Sequence, residues 1–193
     1  MRILSLFLLL AGFAGCDSDS MPAPAARKYI PTDIDPDSAE FRYGRWGDRY
    51  EDIIYRESKA GNQPVAESKD SLAYIDEENK HTAFYYFTNS RLTHAKRTHR
   101  VWAEQVWAVY YWERMRDKLI QYHYGTPVSL DYYKWRDDEA LNTYVFRESE
   151  YGYAVANGLL VCVAQWETER ETISLMMDGK DGKIRLTEKH TAK

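Results

Sequence analysis

The longest regular apolar pattern in the chain runs from Val101 to Tyr124, VWAEQVWAVYYWERMRDKLIQYHY, and Gly125-Thr126-Pro127 follows it. Val101, Trp102, Val106, Ala108, Val109, Trp112, Met115, Leu119 and Tyr122 recur at three- and four-residue spacing, which predicts one buried helical face. Glu104, Glu113, Arg114, Arg116, Asp117, Lys118 and Gln121 take the other face. The basic members gather towards the C-terminal half, where they suit the helix dipole. Gly125 stands where a left-handed C-cap belongs, and Pro127 prevents continuation.

Before this helix the pattern changes to short units. Asp48 with Glu51 three residues on has the spacing of a capping box, and predicts a short helix from Arg49 to about Ser58 with Tyr50, Ile53 and Ile54 on one face. Ser71–Ile75 and Thr82–Thr88 (TAFYYFT) are rich in β-formers, with Glu77–Lys80 as the turn between them. Asn89-Ser90 turns the chain into Arg91–His99, whose alternation suggests an amphipathic edge strand. After the long helix, Asp131–Arg136, Thr143–Glu148, Tyr151–Val155, Leu159–Thr168, Glu171–Met177 and Lys183–Thr187 read as strands. Asn157-Gly158 is the expected turn of one hairpin, and Asp178–Gly182 of another. The sum is an α+β fold: an antiparallel sheet with one long and one short helix packed on one face, in a single domain over 41–193.

The N-terminus obeys a different pattern. Arg2 followed by the apolar run Ile3–Leu10 reads as an export signal over 1–15, too short to span a bilayer as a mature helix. Small residues then precede Cys16 in Ala11-Gly12-Phe13-Ala14-Gly15-Cys16, which resembles the lipobox of bacterial lipoproteins, with Phe13 where Leu, Val or Ile is commoner. The resemblance implies cleavage before Cys16, a diacylglyceryl thioether on it, and a further acyl chain such as palmitate on its amine. Two or three chains anchor durably, since each buried methylene contributes about 0.8 kcal/mol. Asp17 resembles the inner-membrane retention signal of enteric bacteria. Residues 16–40, with Pro22, Pro24, Pro31 and Pro36, read as a flexible tether with a reach of roughly 25–30 Å.

Composition narrows the chemistry. The chain has 26 basic and 30 acidic residues, a net charge of −4 that becomes one unit more negative without Arg2. That balance gives no global field to hold nucleic acid. With Cys16 lipidated, Cys162 is unpaired in the apolar run LLVCVA. It reads as a small buried residue, the sharper alternative being a reactive thiol. His81, His94, His99, His123 and His190 show no metal-ligand spacing and read as solvated surface residues. No nucleophile or phosphate-loop motif is present, and Asp137-Asp138-Glu139 reads as a solvated turn. The chain is thus expected to use no cofactor and no metal.

Two features bear on binding. Arg91, Lys96, Arg97 and Arg100 with His94 and His99 form the one basic cluster, facing either an acidic partner or lipid, or simply protecting a solvated edge strand. Among sixteen Tyr and six Trp, Trp102, Trp112, Trp135 and Trp166 suit the core. Tyr110-Tyr111 and Tyr132-Tyr133 come as pairs, so one member of each should point outward. The candidate binding surface is therefore Tyr110, Tyr111, Tyr132, Tyr133, Arg91 and Arg97, the alternative for the tyrosines being a core margin.

The order of several short motifs is similar to that of a group of uncharacterised bacterial secreted and lipid-anchored proteins. Trp46-Gly47-Asp48 opens a helix, Phe84–Phe87 forms an aromatic hairpin turning at Asn89, and Tyr124-Gly125-Thr126-Pro127 closes a helix. Trp135 follows, and Trp166-Glu167-Thr168 precedes Thr172-Ile173-Ser174-Leu175. The W-G-opened helix and small sheet also resemble the small lipoprotein of the outer-membrane β-barrel assembly machinery and modules of β-lactamase inhibitor proteins. The chain departs from the group at Val109-Tyr110-Tyr111-Trp112, where more polar helix residues are usual. The resemblance implies a domain that acts by binding proteins, without an active site.

The functional expectation is a non-catalytic protein-binding lipoprotein of the bacterial envelope, an assembly or maintenance accessory. It would be anchored through Cys16 and face the periplasm or the outside, on the inner membrane if the cell has two, with an envelope protein as its partner. One alternative is an inhibitor or immunity protein against an envelope-acting enzyme. Another is a cell-wall hydrolase, which a deep cleft holding two carboxylates, or a carboxylate and a histidine, would favour.

Overall fold

The computed structural model describes residues 31, 33, 39–77, 80–99, 105–136 and 147–193, without the side chains of Val106 and Tyr122. The expected signal sequence, Cys16, Val101, Trp102, Arg100, the 137–139 turn and the 143–146 part of a strand lie outside these residues. One compact unit spans Pro31–Lys193. Asp33 and Glu40, both expected in the tether, ion-pair with Lys59 and Arg170.

Eight strands form one antiparallel sheet: β1 (Ala66–Ser68), β2 (Ser71–Asp76), β3 (His81–Thr88), β4 (Arg91–His99), β5 (Tyr133–Trp135), β6 (Leu160–Glu167), β7 (Glu171–Lys180) and β8 (Lys183–Ala192). Their spatial order is β1-β2-β3-β4-β8-β7-β6-β5. Two meanders therefore meet at the β4–β8 seam. The chain leaves β4, crosses by the long helix to the far edge, and returns strand by strand to the centre. Both edge strands are three residues long, which leaves little backbone open for pairing with another chain. The Arg91–His99 strand is not the edge that its alternation suggests. It lies between β3 and β8, and its charges are taken up within the molecule.

Register places the core on one face. Leu72, Tyr85, Ala95, His190, Ile173 and Trp166 line up across six strands. Helix α1 (Tyr50–Lys59) lays Ile53 on Leu72, Tyr74, Tyr85, Phe87 and Leu92. Helix α2 (Gln105–Leu119) lays Ala108, Val109, Trp112 and Leu119 over Cys162, Ala164, Trp166, Leu175 and Met177. All three α-helices of the described residues sit on this face. The opposite face carries the stacked Phe84 and Tyr86, with the Lys96 ammonium 4.5 Å from the Phe84 ring.

Several expectations shift on contact with packing. The first helix starts one residue later. The Arg49 N–H donates to Asp52 Oδ2, while Asp48 instead accepts from the Arg45 N–H and the Arg56 guanidinium. The long helix ends in one wider turn, Ile120–Tyr124, with i→i+5 hydrogen bonds. Gly125 then has φ 68° with ψ −151°, so it is left-handed in φ only and not a left-handed cap. Its carbonyl accepts the Trp166 indole N–H at 2.8 Å.

Tyr151–Ala156 is not a strand but a third helix, α3, preceded by a 3₁₀ turn at Glu148–Glu150 where a strand end was expected. Gly152, Ala154, Val155 and Ala156 are buried, and their small side chains let the helix lie directly on β7. A Cβ on Gly179 would stand 2.2 Å from the Val155 carbonyl oxygen, so this contact is backbone to backbone. Asn157-Gly158 accordingly closes a helix and is not a hairpin turn. Gly179 belongs to β7, and the β7–β8 turn is Asp181-Gly182 alone. Strand β8 runs on to Ala192, past the expected end at Thr187.

Candidate functional site

Between the two apolar cores the same sheet face carries charge. The row Tyr74, Ala83, Arg97, Glu188, Leu175, Ala164 carries its charged pair on β4 and β8, and the row Asp76, His81, His99, Leu186, Met177, Cys162 turns from polar to apolar at β8. Three histidines expected at the surface are buried here: His81 at 8% exposure, His99 at 7% and His190 at 1%. His123 is exposed and His94 half-buried. Sequence spacing could not find this cluster, because β8 brings His190 and Glu188 next to β4 from 91 residues away.

The network is tightly paired. Glu188 accepts from Arg97 Nη1 at 2.9 and 3.0 Å and from His190 Nε2 at 2.8 Å. His190 Nδ1 faces Glu171 Oε2 at 2.9 Å. A ring with a carboxylate on each nitrogen donates twice only as imidazolium. Burial alone would lower its pKa, but the Glu171 and Glu188 hydrogen bonds win and raise it. Burial likewise opposes the Glu188 charge, yet the His190, His99 and Arg97 contacts hold its carboxyl well below the usual range. Under α1, the fully buried Glu57 meets Arg42 Nε at 2.7 Å and accepts from Tyr85 and Asn62 at 2.6 and 2.7 Å.

A cleft of about 730 Å³ opens onto this cluster, floored by Arg42, Asp76, His81, Arg97 and His99 and walled by Tyr111 of α2. Burial, helped by the Arg97 charge, pushes His81 down to about 4 and keeps it neutral. Its Nε2 is 3.6 Å from Asp76 Oδ2, and His99 Nε2 is 3.8 Å from Glu188 Oε2, both beyond hydrogen-bond length. The described residues contain no group of three or more metal-ligating side chains placed to hold an ion.

A second candidate lies on the outward side of α2. Trp107, Tyr110 and Tyr111 are 59%, 51% and 41% exposed. Trp107 and Tyr110 meet edge to face at 6.0 Å, and the Arg114 guanidinium stands 5.9 Å from the Tyr110 ring. Sequence reading selects Tyr110 and Tyr111 but overlooks Trp107. The clue was its spacing, three residues before Tyr110, on a turn whose inward positions are filled by Ala108 and Val109.

The other candidate residues sit elsewhere. Tyr132 and Tyr133 are half-buried and each packs 6.0 Å from Trp112, and the Tyr133 hydroxyl donates to Glu113. Arg91 donates to the Gly47 carbonyl at the start of α1, and Arg97 belongs to the buried network. The structure thus keeps Tyr110 and Tyr111 together and distributes the other four. Trp112 and Trp166 are buried, as expected, and Trp135 is half-buried. Cys162 is fully buried and its thiol is pushed up to about 12 by burial, which leaves it protonated and unreactive. No helix among the described residues is long and apolar enough to cross a membrane.

No protein-family model matches the chain, and no curated protein or solved structure matches it.

Proposed function

We propose that the protein is a lipid-anchored, non-catalytic binding module of the bacterial envelope, docking an envelope protein on the outward face of α2. The supporting observation is the cluster of Trp107, Tyr110, Tyr111 and Arg114. Trp, Tyr and Arg are the side chains that dominate binding energy at protein interfaces, because each joins apolar area to a polar handle. Three large aromatics left in water on one helix are a cost that folding does not require, since α2 already fills its inward side with Trp112 and Leu119. The lipobox at Cys16 supports membrane anchoring, on the inner membrane by the Asp17 signal, and the motif order supports action by binding.

The cell-wall hydrolase reading gains one observation, a cleft that holds Asp76 together with His81. Ion pairing argues against it. Glu188, held by Arg97 and His190, stays ionised, and Asp76 is taken up by Arg42, whereas glycoside hydrolysis needs one acid kept protonated. The inhibitor or immunity reading shares the α2 surface and differs only in the partner.

Chemical crosslinking in intact envelopes tests the proposal. The wild-type chain is expected to give a specific protein adduct that Trp107→Ser with Tyr110→Ser abolishes. Identical adducts from both chains, or no adduct together with wall hydrolysis by the purified protein, would overturn it. Mass spectrometry of the membrane fraction tests the anchor, and an unmodified Cys16 in the membrane-bound chain would sink it.

A further inference from the structure

We propose that the sheet face turned away from the helices lies on an anionic phospholipid surface, which leaves the outward face of α2 free for a partner. The inference rests on the lipid-anchor reading and adds the side by which the domain meets the membrane. It starts from a pair of like charges. Lys96 of β4 and Lys189 of β8 are direct cross-strand partners, an arrangement that costs a sheet stability. Among the described residues neither ammonium pairs with a carboxylate. Their register row adds none, since it continues through Phe84 on one side and Ser174 and Gln165 on the other. The acids of this face lie towards its margins and are taken up there: Asp178 by Arg185 at 2.9 Å and Glu167 by Lys193 at 3.3 Å. A chain of net charge −4 thus keeps unopposed positive charge in the middle of one face.

The neighbours of the lysines select the kind of anion. Phe84 and Tyr86 stack within 12° of parallel, and the Lys96 ammonium stands 4.5 Å from the Phe84 ring and 5.8 Å from the Tyr86 ring. Two rows of the sheet therefore combine aromatic area with a cation at one level. Thr98, Thr191 and Ser174 lie on the same face, and their hydroxyls can donate to phosphate oxygens. A phospholipid surface offers phosphate directly above an apolar boundary, the setting in which aromatic rings and long cationic side chains both find their place. An acidic polypeptide offers carboxylates without that boundary. Each lysine near an anionic leaflet is worth about fivefold in partitioning, so the pair is worth about 25-fold. That is too little to hold a free domain, but enough to orient one that an anchor already keeps at the surface. The three helices of the described residues then point away from the bilayer, with Trp107, Tyr110 and Tyr111 on the far side.

The test uses the lipidated protein, purified from membranes and placed in vesicles, with a dye on Ser174→Cys and, in a separate chain, on Tyr110→Cys. Cys162 is fully buried and does not compete for the label. A quencher carried on a lipid headgroup reads which side faces the bilayer. In vesicles of phosphatidylcholine with phosphatidylglycerol, the dye at 174 should be quenched at least about fivefold more than the dye at 110. Phosphatidylcholine alone, or salt raised to about 0.5 M, should bring the two within about twofold. Lys96→Gln with Lys189→Gln should do the same in the anionic vesicles while the chain still floats with them. Equal quenching at both positions in anionic vesicles, or a preference for 174 that survives the double variant, would overturn the proposal. Polyglutamate stands in for an acidic protein. A lysine-dependent response of the 174 dye to polyglutamate, with none to anionic vesicles, would also overturn it. Flotation without a preference for 174 sinks the orientation alone, whereas a chain that floats with neither vesicle sinks the anchor and the orientation together.

Discussion

The two halves of the sheet cover the same face by different means. Over β5–β8 the cover is apolar: Trp112, Leu119, Ala154 and Val155 press on Trp166, Ile173, Leu175 and Met177. Over β1–β4 only Ile53 of α1 is a buried apolar residue, and Asp52, Arg56 and Glu57 are buried beside it. The first half is held by area removed from water. The second has its own apolar cluster around Ile53, but its cover adds matched charges, which are costly to bury and costlier to leave unmatched. The cleft lies over β2–β4, on the charged half, with Arg42, Asp76, His81, Arg97 and His99 on its floor.

The sharpest way to break the apolar half is Trp166→Ala. Losing that side chain and its bond to Gly125 should cost about 3–5 kcal/mol in urea unfolding. A loss under about 1 kcal/mol would mean that α2 is not what holds β5–β8. In the charged half, Glu57→Gln should cost about 3 kcal/mol, because Arg42 loses its buried countercharge. Adding Arg42→Met to that variant should restore most of it. A double-mutant cycle reads the coupling, and additive losses would contradict the paired-charge account.

pH separates the halves further. The unfolded chain binds a proton at His81 near 6.5, whereas the folded chain refuses it until about 4. Stability from this site is therefore complete above pH 6.5 and falls as pH drops towards 4, by at most about 3 kcal/mol. His190 acts in the opposite sense: its raised pKa stabilises below 6.5, and that contribution is lost as pH rises through the folded value. Chemical unfolding of His81→Gln across pH 4–7 should show a flattened acid limb, and an unchanged limb would remove His81 from the account. Gly179→Ala, which sets a methyl against the Val155 carbonyl, should cost about 2 kcal/mol in the same assay. The smallest effect belongs to the surface. Trp107→Ser and Tyr110→Ser should change stability by no more than about 0.5 kcal/mol each.

How much of this was legible follows from the range of each interaction. Helix α2 and strands β2, β3, β6 and β7 were readable because their faces repeat locally. Two distant motifs even prove to touch, since Trp166 of the W-E-T segment hydrogen-bonds Gly125 of the Y-G-x-P segment. Helix α3 was misread because Tyr151, Tyr153 and Val155 alternate like a strand, while the deciding feature is the room beside Gly179 on β7. The histidine cluster was out of reach for the same reason. Nothing near His190 in sequence announces that β8 will place it between Glu171 and Glu188 and beside Ala95 of β4. On α2, Tyr110 and Tyr111 were found from their pairing, and Trp107 required knowing which side the sheet occupies.

The central claim is that the outward face of α2 is the working surface. A photocrosslinking residue placed at position 110, and in a separate chain at Lys189 on the other face of the sheet, tests it in living cells. The account predicts one discrete adduct from position 110 and none from 189. Equal labelling from both positions, or an adduct from 189 alone, would contradict it.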